Sequence, residues 1–178
     1  MKIFLLRHAS PNLSRRDIPY DILPGPELLP RGEKEAAALG DFLKLEGLRK
    51  LYYSPFERSA RTAQIVAAAN GIPAIEEEGL AEWRFATEAE AQVRGRMAAL
   101  FKHVAQESEG LGPIGLVSHG GPIALLLLEL GIDQDVLAPY RTRFDTTNPL
   151  PPAGAWKAEM ASGNQEWNLQ LVFTPNVS

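Results

Sequence analysis

Four times along this chain a short apolar run gives way to a longer stretch with helical spacing. "KIFLLR", Lys2 to Arg7, precedes "RGEKEAAALGDFLKLEG", Arg31 to Gly47. "KLYYS" ends at Ser54 and leads into "SPFERSARTAQIVAAANG". The weaker, acidic "PAIEEE" precedes "EAEAQVRGRMAALFKHVAQES", and "GPIGLVSH" runs into "GGPIALLLLELG". Strands that each lead into a helix predict an α/β fold, a three-layer sandwich with a mainly parallel central sheet flanked by helices. Near the end, "AWKAEM" and "NLQLVF" read as strands of a hairpin turning at "ASGNQE". No repeat or linker divides the chain, so the expectation is one domain over residues 1–178.

The helices carry recognisable faces and ends. Ala36, Leu39, Phe42 and Leu43 keep helical spacing, with Gly47 as a C-terminal cap. Ser54 is the expected N-cap of the second helix, with Pro55 at its first position. Val93, Met97, Leu100, Phe101 and Val104 share one face of the third. "PIALLLL" is apolar on most sides and should lie deep. Proline and glycine crowd residues 11–30, which predicts a long loop of functional or mobile character.

Composition removes several function classes. The formal net charge is −4, which disfavours a general nucleic-acid or membrane-surface binder. There is no cysteine, hence no disulfide, thiolate nucleophile or thiolate-bound metal. The histidines are His8, His103 and His119, too few to furnish a multi-histidine metal centre readily. Neither "IFLL" nor "PIALLLL" is long enough for a signal-peptide core or a membrane span. The expectation is a cytoplasmic protein with no cofactor and no metal.

Charge at the strand ends points to a ligand. The first strand ends in Arg7-His8 and the second in Ser54, with Arg58 on the next helical turn. The "IGLVS" strand ends at His119, before Gly120 and Gly121. Sites in open parallel sheets form at the carboxyl ends of strands, so these residues can converge. Two arginines and two histidines around one point suit a multiply charged oxyanion, above all a phosphoryl group. A neutral imidazole there could attack phosphorus if its other nitrogen's proton is held by an acceptor. A proton donor for the leaving oxygen would come from Glu82 or from Glu76 to Glu78. Glu82 is favoured because Trp83 beside it would desolvate the carboxyl and raise its pKa. His103 is read as a solvated helix residue, Glu76 to Glu78 as exposed charge, and Arg15, Arg16, Arg84, Arg141 and Arg143 as solvated.

These stretches resemble the histidine phosphatase superfamily, the phosphoglycerate mutase-like fold. "LLRHAS" is similar to its Arg-His-Gly signature. "SPFERSARTA" is similar to its Ser-Pro-x-x-Arg-x-x-x-Thr motif, and "LVSHGG" to the motif with the second histidine. "LLPRGEKEA" resembles the opening of the family's first helix. The resemblance implies that His8 is the nucleophile, that Arg7, Arg58 and His119 bind the phosphoryl group, and that Glu82 is the acid and then the base. It implies no metal. Ala9 departs from the usual glycine, where only a backbone carbonyl is needed. Ser14 stands where asparagine often helps bind phosphate, which makes it a further phosphate-binding candidate; Asn12 is two positions early.

The resulting expectation is a phosphatase that hydrolyses small phosphate monoesters through a phosphohistidine on His8. The rivals are a phosphoglycerate mutase-like phosphotransferase, a phosphohistidine-protein phosphatase and a non-catalytic phosphate-binding protein. The short stretch between Arg58 and His119 leaves little lid to exclude water, which favours hydrolysis. Neither nucleic acid nor membrane is an expected partner, and the sequence leaves the oligomeric state and the identity of the substrate open.

Overall fold

The computed structural model describes residues 1–144, 148–161, 163 and 166–176. In chain order the strands and helices are β1 (Lys2–Arg7), α1 (Pro30–Leu45), β2 (Lys50–Tyr53), α2 (Glu57–Asn70), β3 (Ala74–Glu76), α3 (Glu90–Leu111), β4 (Ile114–Ser118), α4 (Gly120–Glu129), α5 (Gln134–Phe144), β5 (Ala155–Glu159) and β6 (Asn168–Phe173). A short 3-10 turn, Glu78–Leu80, follows β3. Among the described residues the strands form one sheet in the order β3-β2-β4-β1-β5-β6. The pairs β2–β3, β2–β4 and β1–β4 are parallel, whereas β5 and β6 extend the sheet antiparallel. The mainly parallel sheet follows from the strand–helix alternation. The antiparallel edge follows from the late pair of strands, which has no helix between its members. The turn expected at "ASGNQE" falls largely outside the described residues.

Strand β1 shows why the sheet lies at the centre. Its side chains alternate between two faces, as a period of two requires. Ile3 and Leu5 pack with Val93, Met97 and Phe101 of α3 and with Leu126 of α4. Phe4 and Leu6 pack with Leu39 and Leu43 of α1 and with Ala63 and Val66 of α2. All four strand residues are fully buried. At roughly 1.5–3 kcal/mol for each large apolar side chain, one strand secures both helical layers. The result is a three-layer α/β sandwich.

Two local expectations change. Ser54 does not cap α2: the helix begins two residues past Pro55, and its N-cap is Phe56 without a side-chain cap bond. Helix α5 was not anticipated. Its polar sequence, "QDVLAPYRTRF", carries Pro139 inside the helix and buries Leu137 alone, so neither propensity nor periodicity announced it.

Candidate active site

Strands β1, β2 and β4 end side by side. Arg7 stands opposite Ser118, and Tyr53 opposite Val117. One residue further, the His8 N–H donates to the Ser118 carbonyl and the Ser54 N–H to the Val117 carbonyl, both at 3.0 Å. His8, Ser54 and His119 therefore leave the sheet along one edge. All three are fully buried, and so is Arg58 on the first turn of α2.

The hydrogen bonds of His8 fix its tautomer. Its Nδ1 lies 2.8 Å from the Ala9 carbonyl. A carbonyl can only accept, so Nδ1 carries the proton and Nε2 keeps a lone pair. Ala9 thus supplies what a glycine would supply. Its own N–H donates to Thr62 Oγ1 (3.0 Å), and the Thr62 hydroxyl donates to the Arg58 carbonyl (2.7 Å). Nε2 faces the Tyr20 hydroxyl at 3.3 Å. Burial first, then the Arg58 and Arg7 charges, hold the His8 pKa well below 6.5. The ring is neutral at neutral pH.

His119 shows the opposite tautomer. Arg58 Nη2 donates to its Nδ1 at 3.1 Å, and a guanidinium cannot accept. Its Nε2–H therefore donates to Ser54 Oγ at 2.7 Å. Ser54, expected as a helix cap, orients this histidine instead. Burial, then the neighbouring His8 and Arg58, push the His119 pKa well down. The two rings lie 5.1 Å apart.

Arg58 is held from several sides. Nη1 donates to the Tyr20 carbonyl (2.9 Å), and Nη2 lies 3.2 Å from Glu82 Oε2. The guanidinium stacks over the Tyr20 ring at 4.0 Å. Gly25 lies against it at a φ of +72°, and a Cβ there would come within 2.7 Å of Nη1 and 2.9 Å of the Phe56 ring. Gly25→Ala should therefore lower stability by about 1–3 kcal/mol from left-handed backbone strain and should also displace Arg58. Thermal melts and phosphate-analogue titration check both, and a variant with unchanged melting and affinity would contradict the packing described.

Glu82 closes the cluster. Its Oε1 accepts the Trp83 N–H at 2.9 Å, and its Oε2 lies 3.3 Å from His119 Nδ1. Burial pushes the carboxyl pKa up, and the opposing pull of Arg58 does not cancel it. A proton on Glu82 fits the neutral His119 that it faces. Arg7 reaches the same cavity, and its Nη1 donates to the Leu150 carbonyl at 3.0 Å. The cavity measures about 570 Å³.

His8, Glu82 and His119 also offer donor atoms within 4.8 Å of one another, close enough for one metal ion. Arg58 Nη2 sits within 3.2 Å of two of those donors. A dication would have to displace a buried guanidinium, so the surroundings suit an anion better.

The structure brings together Arg7, His8, Arg58, Glu82 and His119. It does not bring Ser14 to them. Ser14 is exposed, and its hydroxyl donates to Asn12 Oδ1 at 2.6 Å in a local turn of the long loop. Ser14 therefore supplies no contact to the cluster. His103, Arg15, Arg16, Arg84 and Arg143 are exposed as expected. Among the three glutamates, Glu76 and Glu78 are exposed, but Glu77 is half-buried and accepts the Gly79 N–H. Arg141 also departs from expectation: it is half-buried and lines the cavity. Sequence reasoning missed Tyr20 and Thr62. Thr62 had a signal, four residues after Arg58 in the quoted motif. Tyr20 had none, because it lies in the proline-rich loop without periodicity.

Residues 3–90 match the family model of the histidine phosphatase superfamily (branch 1). That span holds Arg7, His8, Arg58 and Glu82; His119 lies beyond it. No curated protein sequence matches the chain significantly. Solved structures match along nearly the whole length. A mycobacterial glucosyl-3-phosphoglycerate phosphatase is 20% identical, with 96% of this chain and 97% of that one covered at a TM-score of 0.70. A phosphoserine phosphatase of Entamoeba histolytica, solved with 3-phosphoglyceric acid, is 20% identical, with 98% of each chain covered at a TM-score of 0.74. The YhfR protein of Bacillus stearothermophilus is 17% identical, with 96% and 95% covered at a TM-score of 0.70. By the family model over residues 3–90 the chain belongs to the histidine phosphatase superfamily, and the solved structures share its fold along nearly all its length.

Proposed function

We propose that this chain hydrolyses small phosphate monoesters through a phosphohistidine on His8, acting as one domain without a metal. The observation that carries this reading is the His8 tautomer: the Nδ1 proton is tied to the Ala9 carbonyl, and Nε2 keeps a lone pair turned toward the hydroxyl of Tyr20, a residue of the cavity wall. Arg7, Arg58 and His119 would hold the phosphoryl oxygens and stabilise the transition state. His8 Nε2 attacks phosphorus as the bond to the alcohol oxygen breaks. Protonated Glu82 gives that oxygen its proton, and the alcohol leaves. The Glu82 carboxylate then takes a proton from water, whose oxygen attacks phosphorus as the P–N bond breaks. Inorganic phosphate leaves, and His8 is restored. Two of the structural relatives are named as phosphatases of small phosphorylated compounds, which supports hydrolysis over transfer.

Rapid mixing with substrate, followed by an acid-free quench, should trap one phosphate on His8, located by intact-mass and peptide analysis. Phosphate on His119 alone, or on neither, would overturn the assignment.

The pH profile follows from the two displaced groups. His8 must be neutral, and its pKa lies well below 6.5, so its acid limb in kcat/KM falls below that pH. Glu82 must be protonated, and its pKa lies above 4.5, so the rate on alkyl phosphates declines as pH rises through that raised value. Once the substrate's own ionisation is allowed for, an acid limb at or above 6.5 would contradict the neutral, buried His8.

A further inference from the structure

We propose that Arg141 selects substrates that carry a second anionic group, separated from the phosphoryl group by an apolar body. The inference rests on the phosphatase reading and names the substrate class of that same site. Arg141 lies on α5 and forms part of the cavity wall. Its Nε is buried and meets no hydrogen-bond partner among the described residues. A guanidinium N–H removed from water without an acceptor is costly, and such groups are normally satisfied.

The other charges of the cavity beyond the phosphoryl site are accounted for differently. Arg94 is bound to Glu90 at 2.8 Å and to Glu129 at 2.9 Å. Glu82 faces Arg58. Asp21 reaches the cavity from the exposed loop, where water can solvate it. Arg141 is thus a cation on the wall with donor capacity unused, and its planar fork matches a carboxylate or a phosphate.

Apart from Gln134 and Asn148, much of the remaining wall is apolar. Leu125 and Leu128 of α4 line it, and so do Trp83 and Phe85, whose rings stack at 4.1 Å. Phe85 is 74% exposed, so its ring is open to contact with a bound molecule. A cavity of about 570 Å³ exceeds what one phosphoryl group fills. Its chemistry reads as phosphoryl site, apolar wall, then a lone fork for a second anion.

Two nearly isosteric substrates test this: 4-carboxyphenyl phosphate and 4-carbamoylphenyl phosphate. They differ in charge at the far end of the ring, and the carbamoyl compound has the better leaving group. The wild-type protein should favour the carboxylate by about tenfold or more in kcat/KM, chiefly through KM, as for a charge-assisted hydrogen bond. Arg141→Met should bring the ratio near one, chiefly by raising KM for the carboxylate. Arg143→Met, which removes an exposed charge from the same helix, should keep the preference. A third arm, 1,4-phenylene bisphosphate, asks whether a second phosphate serves as well as a carboxylate. Hydrolysis without a preference for either compound that carries two anionic groups, or a preference that survives Arg141→Met, overturns the role of Arg141 and leaves the phosphatase reading standing. No hydrolysis of any of the three, together with no phosphate trapped on His8, overturns both.

Discussion

Replacing His8 with alanine is expected to lower turnover of phosphate monoesters on the order of 10⁴-fold or more, the scale seen when a covalent nucleophile is removed. The reason is positional. Nε2 carries a lone pair that meets, among the described residues, only the Tyr20 hydroxyl at the cavity wall, and no other group in the cluster is equivalent. His119 spends its Nδ1 lone pair on Arg58 and its Nε2 proton on Ser54. Glu82 is engaged with Trp83 and Arg58. The structural cost of His8→Ala should be small by comparison, because the lost contacts are those of one buried ring to Ala9, Tyr20 and His119. Thermal melts separate the two effects, and initial rates with p-nitrophenyl phosphate read the chemistry. A folded His8→Ala protein that retains turnover within tenfold would mean that another nucleophile, or water directly, attacks phosphorus. Arg58→Met would be a poorer test, since Arg58 also supports Tyr20, Glu82 and His119 and its loss confounds folding with chemistry.

Tyr20, Ser54 and Arg141 mark where the sequence stops being legible. The sheet and the α1, α2, α3 and α4 helices were readable because burial imposes periods of two and 3.6 on them. The convergence of Arg7, His8, Arg58 and His119 was readable because parallel strands end at one edge. Tyr20 lies in a loop whose path depends on long-range contacts such as Asn12 N–H to the Glu27 carbonyl, and no local pattern encodes those. Ser54 satisfied a capping rule that a stronger tertiary demand overrode, the bond to His119. Arg141 looked solvated because its helix has almost no apolar face, and its partial burial arises from the cavity rather than from the core.

Glu82→Gln should divide substrates by leaving group. An alkoxide is a poor leaving group and needs its proton as the P–O bond breaks, so alkyl phosphate turnover should fall by about 10²–10⁴-fold. Nitrophenolate is stable as an anion, so a burst of it should survive in single-turnover measurements. Breakdown of the phosphoenzyme should then lag, because the carboxylate that would activate water is gone. Glutamine preserves the size of the side chain, so the split is not a packing effect. Two other carboxylates stand nearby in sequence, and their surroundings suit the task less well. Glu88 is clamped by Arg96 at 2.7 and 3.1 Å, which draws its pKa down and keeps it ionised. Glu78 is exposed. Glu88→Gln and Glu78→Gln should therefore leave alkyl phosphate turnover nearly unchanged. If Glu82→Gln leaves it unchanged too, and so do Asp21→Asn and Glu90→Gln at the cavity wall, no carboxylate supplies the proton. The natural substrate would then bring a good leaving group of its own, as a phosphohistidine does, and a phosphoprotein would replace the small ester as the expected substrate.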